Sequence, residues 1–242
     1  MSCYNWKANY ISKLFEKIRI HILLKTGYYE LIDDFINKLS TYYRTFQNVE
    51  NMYADTFRES AITKNNLRLY LKKMYELKPE YLIVGEAPGH KGCRWSGVPF
   101  TSERNIKENN FFGLKNGYKI RNPDNPESES SATIVWNCLD KLNVKPLIWN
   151  AFPFHPHNEG ETNSNRAPTS EELKVGKIIL EELIEIFNIE QNHIIPVGRN
   201  AEKNLKGYKI VTCLRHPSHG GKYEFIKGME RIFNVTLSQD YL

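Results

Sequence analysis

Apolar side chains recur at helical spacing through the first third of the chain, then give way to short unbroken runs. Ile11, Leu14, Phe15, Ile18 and Ile22 share one face, and Leu31, Phe35, Leu39 and Phe46 form a second stripe beyond Gly27. A third segment, residues 62–77, carries Leu67, Tyr70, Leu71 and Met74 at the same period. Residues 1–78 are therefore expected to be a helical extension packed on the rest of the chain, the alternative being a separate partner-binding module. From residue 79 the pattern changes. Four short apolar runs follow, at 81–84, 147–149, 194–197 and 209–214, with helical or loop sequence between them. Residues 133–142 read as one intervening helix. Residues 171–187 read as another, opened by Pro168-Thr169-Ser170 with Glu172 three places after Thr169, a capping-box pattern. Strands alternating with helices predict an α/β fold for residues 79–242: a four-stranded parallel sheet flanked by helices, with the helical N-terminal extension against it. Residues 105–131 are polar and rich in Gly, Pro, Asn and Ser, and read as a long loop of the kind that often carries function.

Composition narrows the class. The 242 residues hold 33 Lys plus Arg against 28 Asp plus Glu, a net charge of +5. That permits a polyanionic partner without demanding one. The 14 Tyr and 12 Phe could stack on bases, although most rings belong in a core. Cys3, Cys93, Cys138 and Cys213 are scattered, and the nearest two, Cys93 and Cys138, are 45 positions apart (138 minus 93). No paired-cysteine clip exists for zinc or a cluster, and isolated thiols suit a reducing compartment. No apolar run approaches the roughly 20 residues that cross a bilayer, and the N-terminus lacks the apolar stretch of a signal peptide. The expectation is an intracellular monomer, cytoplasmic in a prokaryote (associated with the nucleoid) or nuclear in a eukaryote, with no membrane partner.

In parallel α/β sheets, ligands bind beyond the carboxyl ends of the strands. The four predicted ends read Gly85-Glu86-Ala87-Pro88-Gly89, then NAFPFHPH from Asn150, then GRNA from Gly198, then RHPSHGG from Arg215. Three offer a side chain capable of directed hydrogen bonds: Glu86, Asn150 and His216. Taken singly each has a plainer reading, as a solvated or turn-capping Glu, a turn-forming Asn, or a structural His before proline. His155 and His157 raise a metal site, but Pro156 separates them and no third ligand stands at helical or hairpin spacing. Taken together the set has a chemistry. An Asn amide can read the edge of a flat heterocycle. Phe100, on the loop beyond the first strand, can stack on that ring. A His can donate to an oxygen that gains charge as a bond breaks, and a carboxylate can hold a water. These parts fit hydrolytic removal of a base from a sugar. Phosphoryl and acyl transfer fit less well, since there is neither a Walker-type loop nor a serine elbow.

The same residues carry a family resemblance. GEAPG with the later GVPF, WNAFPF followed by NRAPTSEEL, IIPVGRNA and RHPS occur in that order over about residues 81–233. The set resembles the uracil-DNA glycosylase superfamily, and within it the GEAPG-motif branch. The resemblance implies that Phe100 stacks on a flipped uracil, Asn150 reads its edge and His216 donates to the uracil oxygen that becomes anionic. It implies that Gly85, Glu86, Ala87, Pro88 and Gly89 line the pocket and help place the water. Pro217 and Ser218 would hold DNA phosphates, the segment from His219 to Lys222 would enter the minor groove, and Lys91 and Arg94 are further phosphate candidates. Two departures matter. The best-known members have Asp or Asn at the water-positioning third place of the first motif, where Ala87 stands here. The GEAPG branch shares that replacement, with an acidic residue shortly after the motif proposed to compensate, but here His90, Lys91 and Gly92 follow. Glu86 is accordingly the expected water ligand. The branch also commonly holds a four-iron cluster on four cysteines, whose pairs are missing, so no metal or other cofactor is expected. The expected activity is hydrolysis of the N-glycosidic bond of uracil in DNA, the first step of base-excision repair. The alternatives are a glycosylase for another damaged or modified base, and a catalytically weak DNA-binding or defence protein of the same fold.

Overall fold

The structure is a computed structural model that describes residues 26–42, 46–218 and 220–237. The expected helical face from Ile11 to Ile22, and His219, lie outside the described residues.

Helix α1 spans 26–40. Its buried stripe is Ile32, Phe35, Ile36 and Leu39, at spacings of three, four and seven. Leu31, expected inward, is 49% exposed, because Ile32 and Ile36 complete the stripe one position round. Phe46 lies past the helix and packs edge-on against Phe152, 5.6 Å between centroids. A short antiparallel pair, β1 (Val49–Glu50) with β4 (His155–Pro156), then ties this region to the segment after the second long strand. Helix α2 (Ser60–Leu77) buries Leu67, Tyr70, Leu71 and Met74 as their period predicts. It stops where Lys78 turns left-handed and returns its N–H to the carbonyl of Met74. Phe35 packs on Trp149, linking α1 to the sheet.

The sheet is β2 (Leu82–Gly85), β3 (Leu147–Asn150) and β5 (Ile194–Pro196), in the order β3-β2-β5, all parallel. Every residue in these strands is buried. That is why they read as unbroken apolar runs and not as alternating ones. The expected fourth strand is not formed. Residues 209–214 run beside β5 in parallel sense but touch it at two isolated bridges, Ile194 with Ile210 and Val197 with Leu214. The offset is 16 at the first (210 minus 194) and 17 at the second (214 minus 197). One extra residue is accommodated between them, which breaks the ladder as a bulge does. On the other edge, the outward N–H of Ile148 in β3 donates to the hydroxyl of buried Tyr70, at 2.8 Å.

Residues 105–131 are more ordered than their composition suggests. Helices α3 (Cys93–Ser96) and α4 (Glu103–Glu108) precede a turn of 3₁₀-helix at Leu114–Asn116, and α5 (Ser130–Leu142) begins at its end. Phe111, Phe112, Tyr118 and Ile120 are buried, with Phe111 and Phe112 against Trp136. Helix α6 (Ser170–Phe187) opens with the expected capping box: Glu172 N–H donates to the Thr169 hydroxyl, and Thr169 N–H to the Glu172 carboxylate. Helices α7 (Arg199–Asn204) and α8 (Lys222–Phe233) complete the described chain. Among the described residues no helix is long and apolar enough to cross a membrane.

Candidate active site

The carboxyl ends of β2, β3 and β5 open into one cleft of about 1070 Å³. Parallel register sets Gly85 beside Asn150, so the first motif and the asparagine emerge together. Gly85 is required there by contact. A Cβ on it would stand 2.5 Å from Phe100 Cε2 and 2.6 Å from Asn150 Oδ1. The ring and the amide thus close on bare backbone. Asn150 is 3% exposed. Its side-chain amide lines the cleft and makes no hydrogen bond among the described residues. Buried amides are normally satisfied, so this one is arranged for something that enters.

Phe100 also lines the cleft, with its backbone at φ +48°. That left-handed region is rare for a bulky residue and marks a constrained position. The loop around it supplies the constraint. The Ser96 hydroxyl donates to Thr101 O at 2.6 Å and accepts from Val98 N–H, and Trp136 Nε1 donates to the Thr101 hydroxyl. The Phe100 and His216 ring centroids are 6.1 Å apart. Ser218 N–H donates to His216 Nδ1 at 3.3 Å, and the Ser218 hydroxyl lies 2.7 Å from the same nitrogen. In a neutral ring that assigns the proton to Nε2. Gly198, at the start of α7, backs the histidine: a Cβ there would lie 3.3 Å from His216 Cβ.

Glu86, Ala87, Pro88 and Gly89 line the same cleft. Glu86 is engaged at its rim, because the Asn200 amide donates to both carboxylate oxygens at 3.0 and 3.1 Å. The motif loop is held from below by His155, fully buried, with Nδ1 2.9 Å from Pro88 O and Nε2 2.9 Å from Thr162 O. Burial pushes the pKa of its imidazole down, against the pull of those two carbonyls. A neutral ring donates to one of these carbonyls, and both nitrogens face protein oxygens, so His155 acts as a strut under the loop.

Some expected contacts take another form. Arg94 was expected at DNA phosphates but is 4% exposed. It is ion-paired with Glu50, donates to Asn163 at 2.8 Å and stacks on Trp95. Glu50 on β1 and Asn163 hold it inward. Pro217 is buried, Ser218 lines the cleft, and Lys222 is exposed at the start of α8. The exposed cations on the cleft wall are instead Arg199 and Arg215. Glu129 and Ser131 are further lining residues that motif spacing did not reveal, and Asn165, which opens the NRAPTSEEL segment, lines the cleft as well. Glu129 comes from the far end of the 105–131 segment, and only the folded loop brings it here.

The family model described as the uracil DNA glycosylase superfamily matches residues 72–234. The chain belongs to the uracil DNA glycosylase superfamily. No curated protein matches it. Among solved structures, wild-type SMUG2 of Pedobacter heparinus is similar, with a TM-score of 0.57 and 17% identity over 83% of this chain and 97% of that one. Such a likeness speaks to fold.

The cysteines of this superfamily member do not fit an iron-sulfur cluster within the described residues. Cys93 and Cys138 are buried, and Cys213 borders the cleft. Among those residues no three His, Cys, Asp or Glu side chains converge as a metal site. Cys3 lies outside them.

Proposed function

We propose that the protein hydrolyses the N-glycosidic bond of uracil in DNA and so opens base-excision repair. The observation that carries this reading is the amide of Asn150, buried and without a hydrogen bond among the described residues, which meets the bare backbone of Gly85 beside the Phe100 ring. A flat base entering over Phe100 would present its edge to that amide. Uracil offers an adjacent N–H and carbonyl, which an amide oxygen and amide N–H₂ satisfy together. The base must leave the stack to arrive, at a cost of a few kcal/mol that is smallest for mismatched or single-stranded sites.

When the bond from N1 to C1′ breaks, its electron pair leaves with the base. Charge gathers on the uracil oxygens, where His216 Nε2–H would donate. Water adds to C1′ and loses a proton, leaving an abasic sugar and free uracil. Arg199 and Arg215 would meet backbone phosphates at the mouth.

The test is single-turnover base release from oligonucleotides carrying uracil, hypoxanthine, xanthine or a 5-substituted pyrimidine. Uracil should be released, and Asn150→Asp should lose that release while remaining folded, because a carboxylate presents only acceptors. Release of another base in preference to uracil replaces the substrate. Release of none rejects the enzymatic reading in favour of a DNA-binding protein.

A further inference from the structure

The reaction needs a group to take the water's proton, and position 87 of the first motif carries only a methyl group. Three carboxylates line the cleft: Glu86, Glu129 and Glu202. Glu86 is engaged at the rim by Asn200, and Glu202 is exposed on α7. A fourth carboxylate close in sequence to Phe100, Glu103, is fully buried. It is spent on the backbone N–H and guanidinium of Arg121 and on the N–H of Glu127.

Glu129 differs from all of these. It is the residue preceding α5, and its carboxyl fills space left by two glycines of the motif loop. A Cβ on Gly92 would stand 1.7 Å from Glu129 Oε2, and one on Gly89 3.4 Å from it. The group is therefore pressed against the 89–92 end of the loop that carries Ala87. Its placement is fixed. Glu103 holds Glu127 N–H at 3.1 Å, and Arg104 N–H donates to Glu127 O at 2.9 Å. Thus the segment bearing Glu129 is anchored to the start of α4, a few residues beyond Phe100. The Ser131 hydroxyl donates to Oε1. Oε2 accepts no hydrogen bond among the described residues.

Resting on the hydrolytic reading of the cleft, we propose that Glu129 is the general base that holds and deprotonates the attacking water. As the water oxygen bonds to C1′ and the N1–C1′ pair departs with the base, the water's proton passes to Glu129 Oε2 and afterwards to solvent. The surroundings suit that task. Burial raises the pKa of the carboxyl above the ordinary glutamate value, against the hydrogen bond from Ser131 and the field of His90. His90 on the motif loop and Cys93 on α3 are the titratable groups that face it. Among the described residues no lysine or arginine pairs with it, and a carboxyl whose pKa is raised is a stronger base, from which catalytic bases gain.

The experiment compares the parent, Glu129→Gln, Glu129→Asp and Glu86→Gln by single-turnover release of uracil from DNA across pH. Binding and thermal melting are measured in parallel. Glu129→Gln should slow the chemical step about 10²–10⁴-fold, the usual range for loss of a general base. Binding should stay within a few-fold. The loss of rate on the acid side, present in the parent, should vanish, and Glu129→Asp should recover part of the rate. The melting temperature of Glu129→Gln should hold or rise, since it removes a buried charge. An active parent whose Glu129→Gln variant keeps the parental rate would overturn the proposal while leaving the glycosylase reading intact. So would a variant that changes only which 5-substituted pyrimidines are released. A parent that releases a base other than uracil moves the same comparison to that base. A parent that releases nothing overturns both.

Discussion

At Phe100 the chain holds a bulky residue at φ +48°, an arrangement costing of order 1–3 kcal/mol. Ser96 and Trp136 fix the loop that imposes it. The ring is set, before any ligand arrives, against backbone that only Gly85 can supply. Gly85→Ala should therefore separate packing from chemistry. The added methyl meets Phe100 and Asn150 at under 3 Å, so base release should fall at least tenfold while far-ultraviolet dichroism stays parental. His216→Ala should slow cleavage by about 10²–10³-fold, or about 2.7–4 kcal/mol, as for loss of one preorganised donor to a developing anion. Binding of uncleaved DNA, measured by anisotropy, should change much less. That Asn150, His216 and the first motif would meet at one cleft was legible in the sequence because strand ends converge in a parallel sheet. Glu129 was not. It stands 40 positions after Gly89 (129 minus 89), and its approach depends on the Glu103 clamp, for which no spacing rule exists. Arg94 read as a surface cation because nothing in its neighbourhood names Glu50 as its partner.

Among elements, helices with a clear stripe or cap were the ones the sequence defined well. Thr169 and Glu172 close the start of α6 reciprocally. Thr169→Ala should cost about 1 kcal/mol, read from the denaturation midpoint. Glu172 also takes two hydrogen bonds from Arg166, at 2.8 and 2.6 Å. Burial by itself would raise its pKa. The bonds from Arg166 and Thr169 outweigh that and hold the carboxyl below its ordinary 4.5. The folded value lies under the unfolded one, so this stabilisation is complete above about 4.5 and fades as pH falls through the lower folded value. Arg166→Met should lower the melting temperature near neutral pH and make it less sensitive to acid below about pH 5. The elements misread were those in which apolar count and geometry part company. One surplus residue in 209–214 spoils a ladder without altering hydropathy. Conversely, the polar tract 105–131 conceals Phe111, Phe112, Tyr118 and Ile120, few in number but enough to fold it onto Trp136.

On the scale of the whole molecule, the net charge of +5 matters through where its exposed part sits. Arg199 and Arg215 stand on the cleft wall, whereas Arg94 is consumed inside. DNA affinity should fall with salt, and Arg215→Ala should reduce the log–log slope by about 0.9, one phosphate's worth. Arg94→Ala should leave that slope unchanged and instead lower the melting temperature, by stranding the Glu50 carboxylate. The two borders of the small sheet carry a further consequence. A three-stranded parallel sheet has two rims of backbone donors and acceptors, each a template on which a stray strand could add. Here one rim has its outward N–H on Ile148 answered by the Tyr70 hydroxyl. The other is flanked by a segment whose surplus residue throws any incoming ladder out of step. Among the described residues, neither rim of this sheet offers an uninterrupted row of backbone groups, so a stray strand adding there would lose part of its ladder.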